Sequence, residues 1–470
     1  MRKFFCQNKY RTIIIVVMIL LFSTMNYYYA DTNSIIRQSI NFWKALFSSR
    51  ILQYNQINSI SAQSGEMLHA SGYSFFLTLL MSIWQLPLYI IERLLSVNVL
   101  DFFIARVYGK LYLVILILMC SRLVCKIYFE ITKDNSQDEK IFLMFSTSAF
   151  IFSSVCIVGQ TDIFGVYFTL LAIYFIIKED RKKFYLFAFI AFQCKYFPIF
   201  ILIPIILLFE KKIWKIVVAI FSPLVIGFCA DLLFGIEEST ANTSRTEELI
   251  ESLTSNRIEL MGMSISISII FFITVCMIAY FVKIPKKEDS YRWYLFFGYI
   301  GYLAVYIVYA EHPYRVIYLL PFTTLYFFLN KNNQKRRLII ETIASLAVSI
   351  GFLAQYNWCY DMNVMSNMLI DKILPLKKFI LHGTKDLLDF FLKSEFYGVW
   401  TVLFGIYVIY LIGVAIYNNP WKTTNGEEFD DIGYKHLWIR TGASFLVANM
   451  TITVYMLVVI KSIFIKIFGL

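Results

Sequence analysis

Two long apolar runs joined by only four residues are the strongest constraint on this fold. Residues 141–158 and 163–177 are apolar, and residues 159–162 between them read Gly-Gln-Thr-Asp. Each run is close to the ~20 apolar residues with which an α-helix crosses a bilayer. Four residues cannot cross back, so they form a tight turn at one membrane face. The following stretch, 178–183, is rich in Lys and Arg and is expected to be cytoplasmic, which places the turn outside.

The next apolar stretch, residues 184–208, contains a helix breaker and a charge. It is followed by Glu210-Lys211-Lys212, so both of its flanks carry the cytoplasmic signature. Pro198 removes a backbone donor, and Lys195 lies three residues before it. A lysine at membrane depth is costly and indicates function. We predict two half-length helices that enter and return, with Lys195 near the tip. The alternative is one long helix whose neighbours satisfy Lys195.

The composition places the whole chain in the same class. Of 470 residues, 59% are hydrophobic and only 16% are charged, which predicts an all-α polytopic membrane protein. The net charge of +11 comes mostly from short loops beside apolar runs, so it indicates topology and not a nucleic-acid partner. The eight cysteines are scattered. No nucleotide-binding, hydrolase or zinc-protease motif is present, and we expect no cofactor.

Loop charges predict the topology of the rest. Basic residues precede the first apolar run, residues 12–30, so the amino terminus is expected in the cytoplasm. A first external loop, about 31–102, begins at Asp31 and opens with an amphipathic helix on the membrane surface. Residues 74–91 would have external ends on both sides, so we predict a juxtamembrane or re-entrant segment broken at Pro87. About 11–13 transmembrane helices result.

On this topology, polar residues gather at the external face above Lys195. They are Asp31, Glu66, His69, Gln160, Asp162, Glu311, His312, Tyr314 and Arg315. Carboxylates, a histidine and cations suit a reaction between an anionic membrane-embedded substrate and a hydroxyl acceptor. A carboxylate would be the general base, and Lys and Arg would stabilise a phosphate leaving group.

Each of these residues also has a structural interpretation. Asp31 could be a helix-end acid in water, and Asp162 and Gln160 could only cap the following helix. His312 and Arg315 could only mark an interface. The case for Glu66 and His69 as functional residues is weaker.

The motif order resembles the GT-C superfamily of integral-membrane glycosyltransferases. The Gly-Gln-Thr-Asp turn is followed by a crossing, a basic turn and Lys195-Tyr196-Phe197-Pro198. This is most similar to bacterial enzymes that use polyprenyl-phosphate sugars, and more loosely similar to GPI-anchor mannosyltransferases. The stretch 311–315, Glu-His-Pro-Tyr-Arg, also looks like a family feature, and Asp31 matches the catalytic acid of the first external loop. The resemblance covers roughly residues 11–330 and is most specific around 145–205.

The resemblance implies a GT-C fold whose long first external loop carries juxtamembrane helices. It implies an inverting transfer from a polyprenyl-phosphate donor, of the undecaprenyl type, to a cell-envelope glycan outside the plasma membrane. Asp31 would be the base, Lys195 and Arg315 would hold the donor phosphate, and Asp162 and His312 would orient the sugar or acceptor. Residues 1–330 would form the catalytic module, and residues 331–470 would relate to the acceptor. The chain has Asp31-Thr32-Asn33 where some relatives have paired acids, so no metal is expected.

Two other functions are compatible with the same pattern. A flippase or transporter of lipid-linked sugars would use Lys195 to line a path, although the internal repeats typical of transporters are not detected. A polysaccharide polymerase or ligase would share the external site but use a diphosphate-linked donor.

Overall fold

The computed structural model describes residues 9–27, 30–67, 73–234, 257–260, 263–307, 313–355, 397–422 and 432–449. This part of the chain is 82% helical. The α-helices are α1 (Lys9–Met25), α2 (Ala30–Phe47), α3 (Tyr54–Gln63), α4 (Phe75–Leu95), α5 (Phe103–Thr132), α6 (Asp138–Ser146), α7 (Asp162–Ile177), α8 (Arg181–Cys194), α9 (Pro198–Phe209), α10 (Ile213–Leu233), α11 (Ile267–Phe281), α12 (Ser290–Tyr306), α13 (Leu320–Leu329), α14 (Gln334–Gln355), α15 (Tyr397–Tyr417) and α16 (Tyr434–Ala448). A π-helix (Ile151–Ile157) and a two-stranded antiparallel hairpin, β1 (Arg257–Leu260) with β2 (Met263–Ser266), complete the regular structure, together with short 3₁₀ turns.

Several of these helices have membrane-spanning character. Among the described residues, α4, α5 and α10 are long and apolar enough to cross a bilayer, and α6 with the π-helix forms one bent pair that also qualifies. Other apolar helices in these ranges are shorter, at 10–17 residues. The chain is therefore mostly helical with membrane-like character, whereas the expected total of 11–13 crossings stays a prediction.

The apolar run 141–158 is not one straight helix. It divides into α6 and the π-helix, which meet at an angle of 62°. At the break, the hydroxyls of Ser146 and Thr147 donate to the backbone carbonyls four residues earlier, at 2.6 and 2.7 Å. Such side-chain bonds compete with the regular helix ladder and favour a bend. The expectation of a single crossing helix here was wrong in this respect.

The hairpin predicted around Lys195 is confirmed. The helices α8 and α9 are separated by residues 195–197, which we call the hairpin tip. The ring of Phe209, at the end of α9, lies 5.3 Å from the ring of Phe184 and 5.1 Å from the guanidinium of Arg181, both at the start of α8. The open ends therefore meet, so the two helices run antiparallel. The alternative of one long helix is wrong.

The helix α7 runs antiparallel to α8, which defines two ends of the bundle. Phe175, near the end of α7, lies 5.3 Å from Phe187 in the first half of α8, measured between ring centroids. At the other end, Asp162 contacts Lys195. We call the end with Asp162 and the hairpin tip the Asp162 face. The opposite end, with residues 178–183 and 210–212, is the basic face.

The helix α4 is continuous, so the predicted break at Pro87 was wrong. Pro87 lies inside α4, on its exposed side. Just before the helix, the Ser74 hydroxyl donates to the carbonyl of Gln193, close to the hairpin tip, at 2.6 Å. The amide of Gln85 donates to the carbonyl of Gly109, in the second turn of α5, at 2.9 Å. Both contacts lie toward the Asp162 face. Because α4 is also long and apolar enough to cross a bilayer, its juxtamembrane position stays a prediction.

The helix α2 also differs from the expectation of an amphipathic surface helix. It begins at Ala30, as expected for a segment that opens at Asp31, and it buries Ile35, Ile36 and Ile40. Its polar side is buried as well, through Thr32, Ser34, Arg37, Gln38, Ser39 and Asn41. Neighbouring segments of the same loop, including α3 and α4, cover that side. The polar residues therefore form contacts inside the protein instead of facing water.

The carboxyl-terminal helices α14 and α16 are tied to α6 by a buried ion pair. Arg440 donates to both oxygens of Glu341 at 2.6 and 2.7 Å, and also to the carbonyl of Met144 at 3.1 Å. Arg440 is 1% exposed and Glu341 is 5% exposed. The division of the chain at residue 330 stays a prediction.

We expect the substitution Arg440→Met to destabilise the fold strongly. It leaves the Glu341 carboxylate buried without its cation, a change that typically costs about 3–5 kcal/mol of unfolding free energy. Thermal unfolding in detergent should show a large drop for this variant but not for Arg336→Met, whose side chain is exposed on α14. The double variant Glu341→Leu/Arg440→Met should recover most of the loss, because neither charge remains. A double variant as unstable as Arg440→Met would contradict this assignment.

Candidate functional site

The turn between the π-helix and α7 presents Asp162 at the bundle end. Gly159 has φ = +77°, a left-handed conformation that glycine adopts without strain. Asp162 is the first residue of α7 and is 2% exposed. Thr161, and not Asp162, is the N-cap residue, and its side chain makes no capping hydrogen bond. The interpretation of Asp162 as an N-cap is therefore wrong.

The Asp162 carboxylate is shared by two side chains from distant parts of the chain. Its Oδ1 accepts a hydrogen bond from the hydroxyl of Tyr318 at 3.3 Å. Its Oδ2 lies 3.7 Å from Nζ of Lys195. Gly165, one turn into α7, leaves room for the phenol of Tyr318. The Asp162 carboxylate is thus held in place by Tyr318, and its other oxygen faces the ammonium of Lys195.

Lys195 is only partly buried, unlike its carboxylate partner. It follows the last residue of α8 in an extended conformation, and its side chain is 22% exposed. Its Nζ also lies 5.2 Å from the centroid of the Tyr73 ring. An aromatic face stabilises a nearby ammonium without neutralising it. Lys195 is therefore positioned by the protein and still accessible to a ligand.

Arg315 joins the same region through the hairpin tip. Its guanidinium lies 4.3 Å from the centroid of the Phe197 ring, and its backbone carbonyl accepts a bond from the Tyr302 hydroxyl at 2.9 Å. Arg315 and Tyr318 belong to one 3₁₀ helix, Pro313–Tyr318. The structure thus brings together three of the predicted site residues. We call Asp162, Lys195, Arg315, Phe197 and Tyr318 the Asp162 cluster; with one carboxylate and two cations, it suits an anionic ligand.

Lys110 is a buried cation that sequence reasoning missed. It lies in the third turn of α5, is 1% exposed, and donates to the carbonyls of Tyr27 at 2.8 Å and Cys156 at 2.9 Å. It therefore ties the segment just before Asp31 to the segment just before Asp162. The sequence does contain a signal for Lys110, because it is a lone lysine within the apolar run that follows residue 102.

The remaining predicted residues are placed as follows. Glu66 is not in the Asp162 cluster; its carboxylate pairs with Nε of Arg37 at 3.2 Å. Gln160 is part of the turn, where its backbone N–H donates to the carbonyl of Ser154 at 3.1 Å. The side chains of Asp31 and Tyr314, and residues His69, Glu311 and His312, lie outside the described residues.

The backbone at the start of α2 nevertheless lies close to the turn. A Cβ placed on Gly159 would be 3.4 Å from the hydroxyl of Thr32. Thr32 directly follows Asp31, so the predicted base and Asp162 belong to neighbouring segments at the Asp162 face. Within the described ranges, no three His, Cys, Asp or Glu side chains are grouped for a metal ion.

The comparisons with known proteins give no match. No protein-family model, curated protein sequence or solved structure is significantly similar to the chain.

Proposed function

We propose that this protein is an inverting membrane glycosyltransferase of the GT-C type. It would transfer a sugar from a polyprenyl phosphate, of the undecaprenyl type, to an envelope glycan at the external side of the plasma membrane. The convergence of Asp162, Lys195 and Arg315 at one bundle end, next to the segment that holds Asp31, carries this proposal. Asp162, Lys195, Arg315 and Asp31 all belong to the motifs on which the family resemblance rests.

The charges of the Asp162 cluster fit the electrostatic course of such a transfer. The donor phosphodiester carries one negative charge. The acceptor oxygen forms a bond to the anomeric carbon, the bond from that carbon to the phosphate oxygen breaks, and the acceptor proton passes to Asp31. The leaving polyprenyl phosphate gains negative charge during this step. Lys195 and Arg315 would stabilise that charge as it develops.

Asp162 and Tyr318 have a supporting role in this proposal. Asp162 would hold Lys195 in position, and Tyr318 would hold Asp162 in turn. Gln160, His312 and Tyr314 would contact the sugar or the acceptor. The carboxyl-terminal region, residues 331–470, would contribute to recognition of the acceptor.

A transfer assay tests the proposal directly. Purified protein in detergent is incubated with a panel of polyprenyl-phosphate sugars and a crude envelope-glycan acceptor, with and without EDTA. We expect transfer from at least one donor, unaffected by EDTA. Absence of transfer from every monophosphate donor would contradict the proposal. Transfer from a diphosphate-linked donor would then identify a polymerase or ligase, and movement of a labelled lipid-sugar across liposomes without acceptor would identify a flippase.

The substitution Arg315→Lys should weaken use of the donor although it keeps the charge. The planar guanidinium lies over the Phe197 ring and can contact phosphate oxygens through two parallel bonds, which the lysine ammonium cannot form. We expect kcat/KM for the donor to fall roughly 10-fold, which corresponds to about 1.4 kcal/mol. Arg336→Lys, exposed on α14, is the matched control. Unchanged kinetics for Arg315→Lys would remove Arg315 from the donor site.

A further inference from the structure

A polar cavity lies within the segment that links α1 to α5, apart from the residues of the Asp162 cluster. It has a volume of about 530 Å³, within the range of ~300–1,000 Å³ that is typical of small-molecule sites. Its wall is formed by α2, the end of α4 and the residues just before α5. We call it the Arg37 cavity. The lining residues used below are Arg37, Lys44, Phe47, Ser48, Glu66, Glu92, Arg93 and Asn98.

Arg37 organises this wall from a fully buried position. It is 2% exposed, and its three nitrogens contact Glu92 at 2.7 Å, Asn98 at 2.5 Å and Glu66 at 3.2 Å. These partners come from the end of α4, the loop before α5 and the loop after α3. A buried guanidinium with three such contacts fixes the positions of its partners. The cavity therefore has preorganised polar groups.

The exposed groups of the wall include both donors and acceptors. The side chain of Glu66 is 41% exposed and uses only one oxygen on Arg37, and Lys44 is 44% exposed while it contacts Glu92. Arg93 donates one N–H to the hydroxyl of Tyr89 at 2.9 Å, and its guanidinium carries further donors. Two carboxylates disfavour an anion such as phosphate, and three cations disfavour a metal ion. Sugar hydroxyls, which both donate and accept, fit this mixture.

An aromatic surface completes the wall. Phe47 is 58% exposed, and its ring stacks on Tyr89 with centroids 5.6 Å apart. A rigid exposed ring of this kind packs against the apolar C–H face of a sugar. Mixed hydrogen-bonding groups around an aromatic ring therefore favour a carbohydrate over a purely ionic ligand.

The location connects this cavity to the proposed reaction. Arg37 and Asp31 belong to the same helix, α2. Six residues at 1.5 Å of rise each separate their backbones by about 9 Å along the helix axis, a distance that a short oligosaccharide spans. Six residues also turn by about 240° beyond one full turn, so a glycan that reaches both the Arg37 cavity and the predicted base has to curve around α2.

We propose that the Arg37 cavity binds a sugar unit of the acceptor glycan, near the hydroxyl that reacts. This inference rests on the proposed function for its biological role, but binding can be measured without any transfer. The proposed ligand class is a neutral, polyhydroxylated oligosaccharide.

The test measures binding of fluorescently labelled oligosaccharides, released from the envelope glycan by partial hydrolysis, to the purified full-length protein. Ser48→Trp fills the cavity, and Phe47→Ala removes the aromatic surface. Leu46→Ala, an exposed neighbour on α2 outside the lining, is the matched control. We expect the first two variants to weaken binding at least 10-fold and the control to bind like the unchanged protein.

Three outcomes would overturn the inference. They are no binding of any oligosaccharide, equal binding by all variants, and displacement by inorganic phosphate or by phosphatidylglycerol vesicles, which would indicate an anion or lipid headgroup site. Failure of the proposed function can be told apart from these. If Ser48→Trp abolishes oligosaccharide binding but no donor supports transfer, the Arg37 cavity is a sugar site and the proposed enzymatic function is contradicted. If transfer occurs and neither Ser48→Trp nor Phe47→Ala changes it, the enzymatic function is supported and the role of the cavity is contradicted.

Discussion

Replacing Lys195 with methionine is expected to lower kcat for sugar transfer by about 10²- to 10³-fold, the usual effect of removing one electrostatic contact to a developing charge. Methionine retains an unbranched apolar side chain, so the contact with the Tyr73 ring can persist while the ammonium is lost. Initial rates at saturating donor and acceptor measure the effect. Lys182→Met is the matched control, because Lys182 is exposed on the basic face.

A purely structural role for Lys195 can be separated from a catalytic one. If Lys195 served only to neutralise buried Asp162, the double variant Asp162→Asn/Lys195→Met would have no unpaired charge and should regain activity. We expect it to remain inactive, because the cation at the phosphate is still missing. Lys195→Arg should retain partial activity. Recovery of activity in the double variant would reduce Lys195 to a structural ion pair.

Local signals in the sequence were sufficient to predict the part of the site around the hairpin. Pro198 and the basic flanks identified two helices that meet at Lys195, because a proline and the distribution of charge act over a few residues. The Gly-Gln-Thr-Asp turn was predicted from a local signal as well. Four residues between two long apolar runs are too few to cross the membrane, so they must form a turn. Both features appear in the structure where the sequence predicts them.

The contacts between distant segments could not be predicted in this way. Tyr318 reaches Asp162 across 156 positions of sequence, and Lys110 joins segments 83 and 46 residues away. No periodicity encodes such pairs, because they depend on how the helices pack. For the same reason, the sequence predicted that the polar side of α2 faces solvent. In the structure Arg37 and its partners from other segments bury one another.

Two predictions about helix continuity were wrong, in opposite directions. The sequence predicted a break at Pro87, yet α4 continues through this proline, which lies on an exposed side. The run before the Asp162 turn was expected to be continuous, yet α6 and the π-helix meet in it at 62°, close to the hydroxyls of Ser146 and Thr147 that bond backbone carbonyls. Helix breaking thus depends on where the backbone bonds of a residue are satisfied, and not on residue type alone.

The substitution Asp31→Asn is expected to reduce transfer by about 10²- to 10⁴-fold, the usual contribution of a general base. Asparagine has nearly the same shape as aspartate but does not take up the proton of the acceptor hydroxyl. Asp31 lies in the first turn of α2, and the hydroxyl of Thr32 next to it lies close to Gly159, so the substitution acts at the Asp162 face. The assay uses the active donor, and Glu288→Gln, exposed just before α12, is the control.

The kinetic pattern distinguishes a base from a binding residue. Loss of a base lowers kcat and leaves the affinity for the donor nearly unchanged, whereas loss of a contact that is equally strong in ground and transition states raises KM instead. Full activity of a folded Asp31→Asn protein would exclude Asp31 as the base. The role would then pass to another carboxylate at this face, and Asp162→Asn would be the next variant to measure, since Asp162 already contacts both Lys195 and Tyr318.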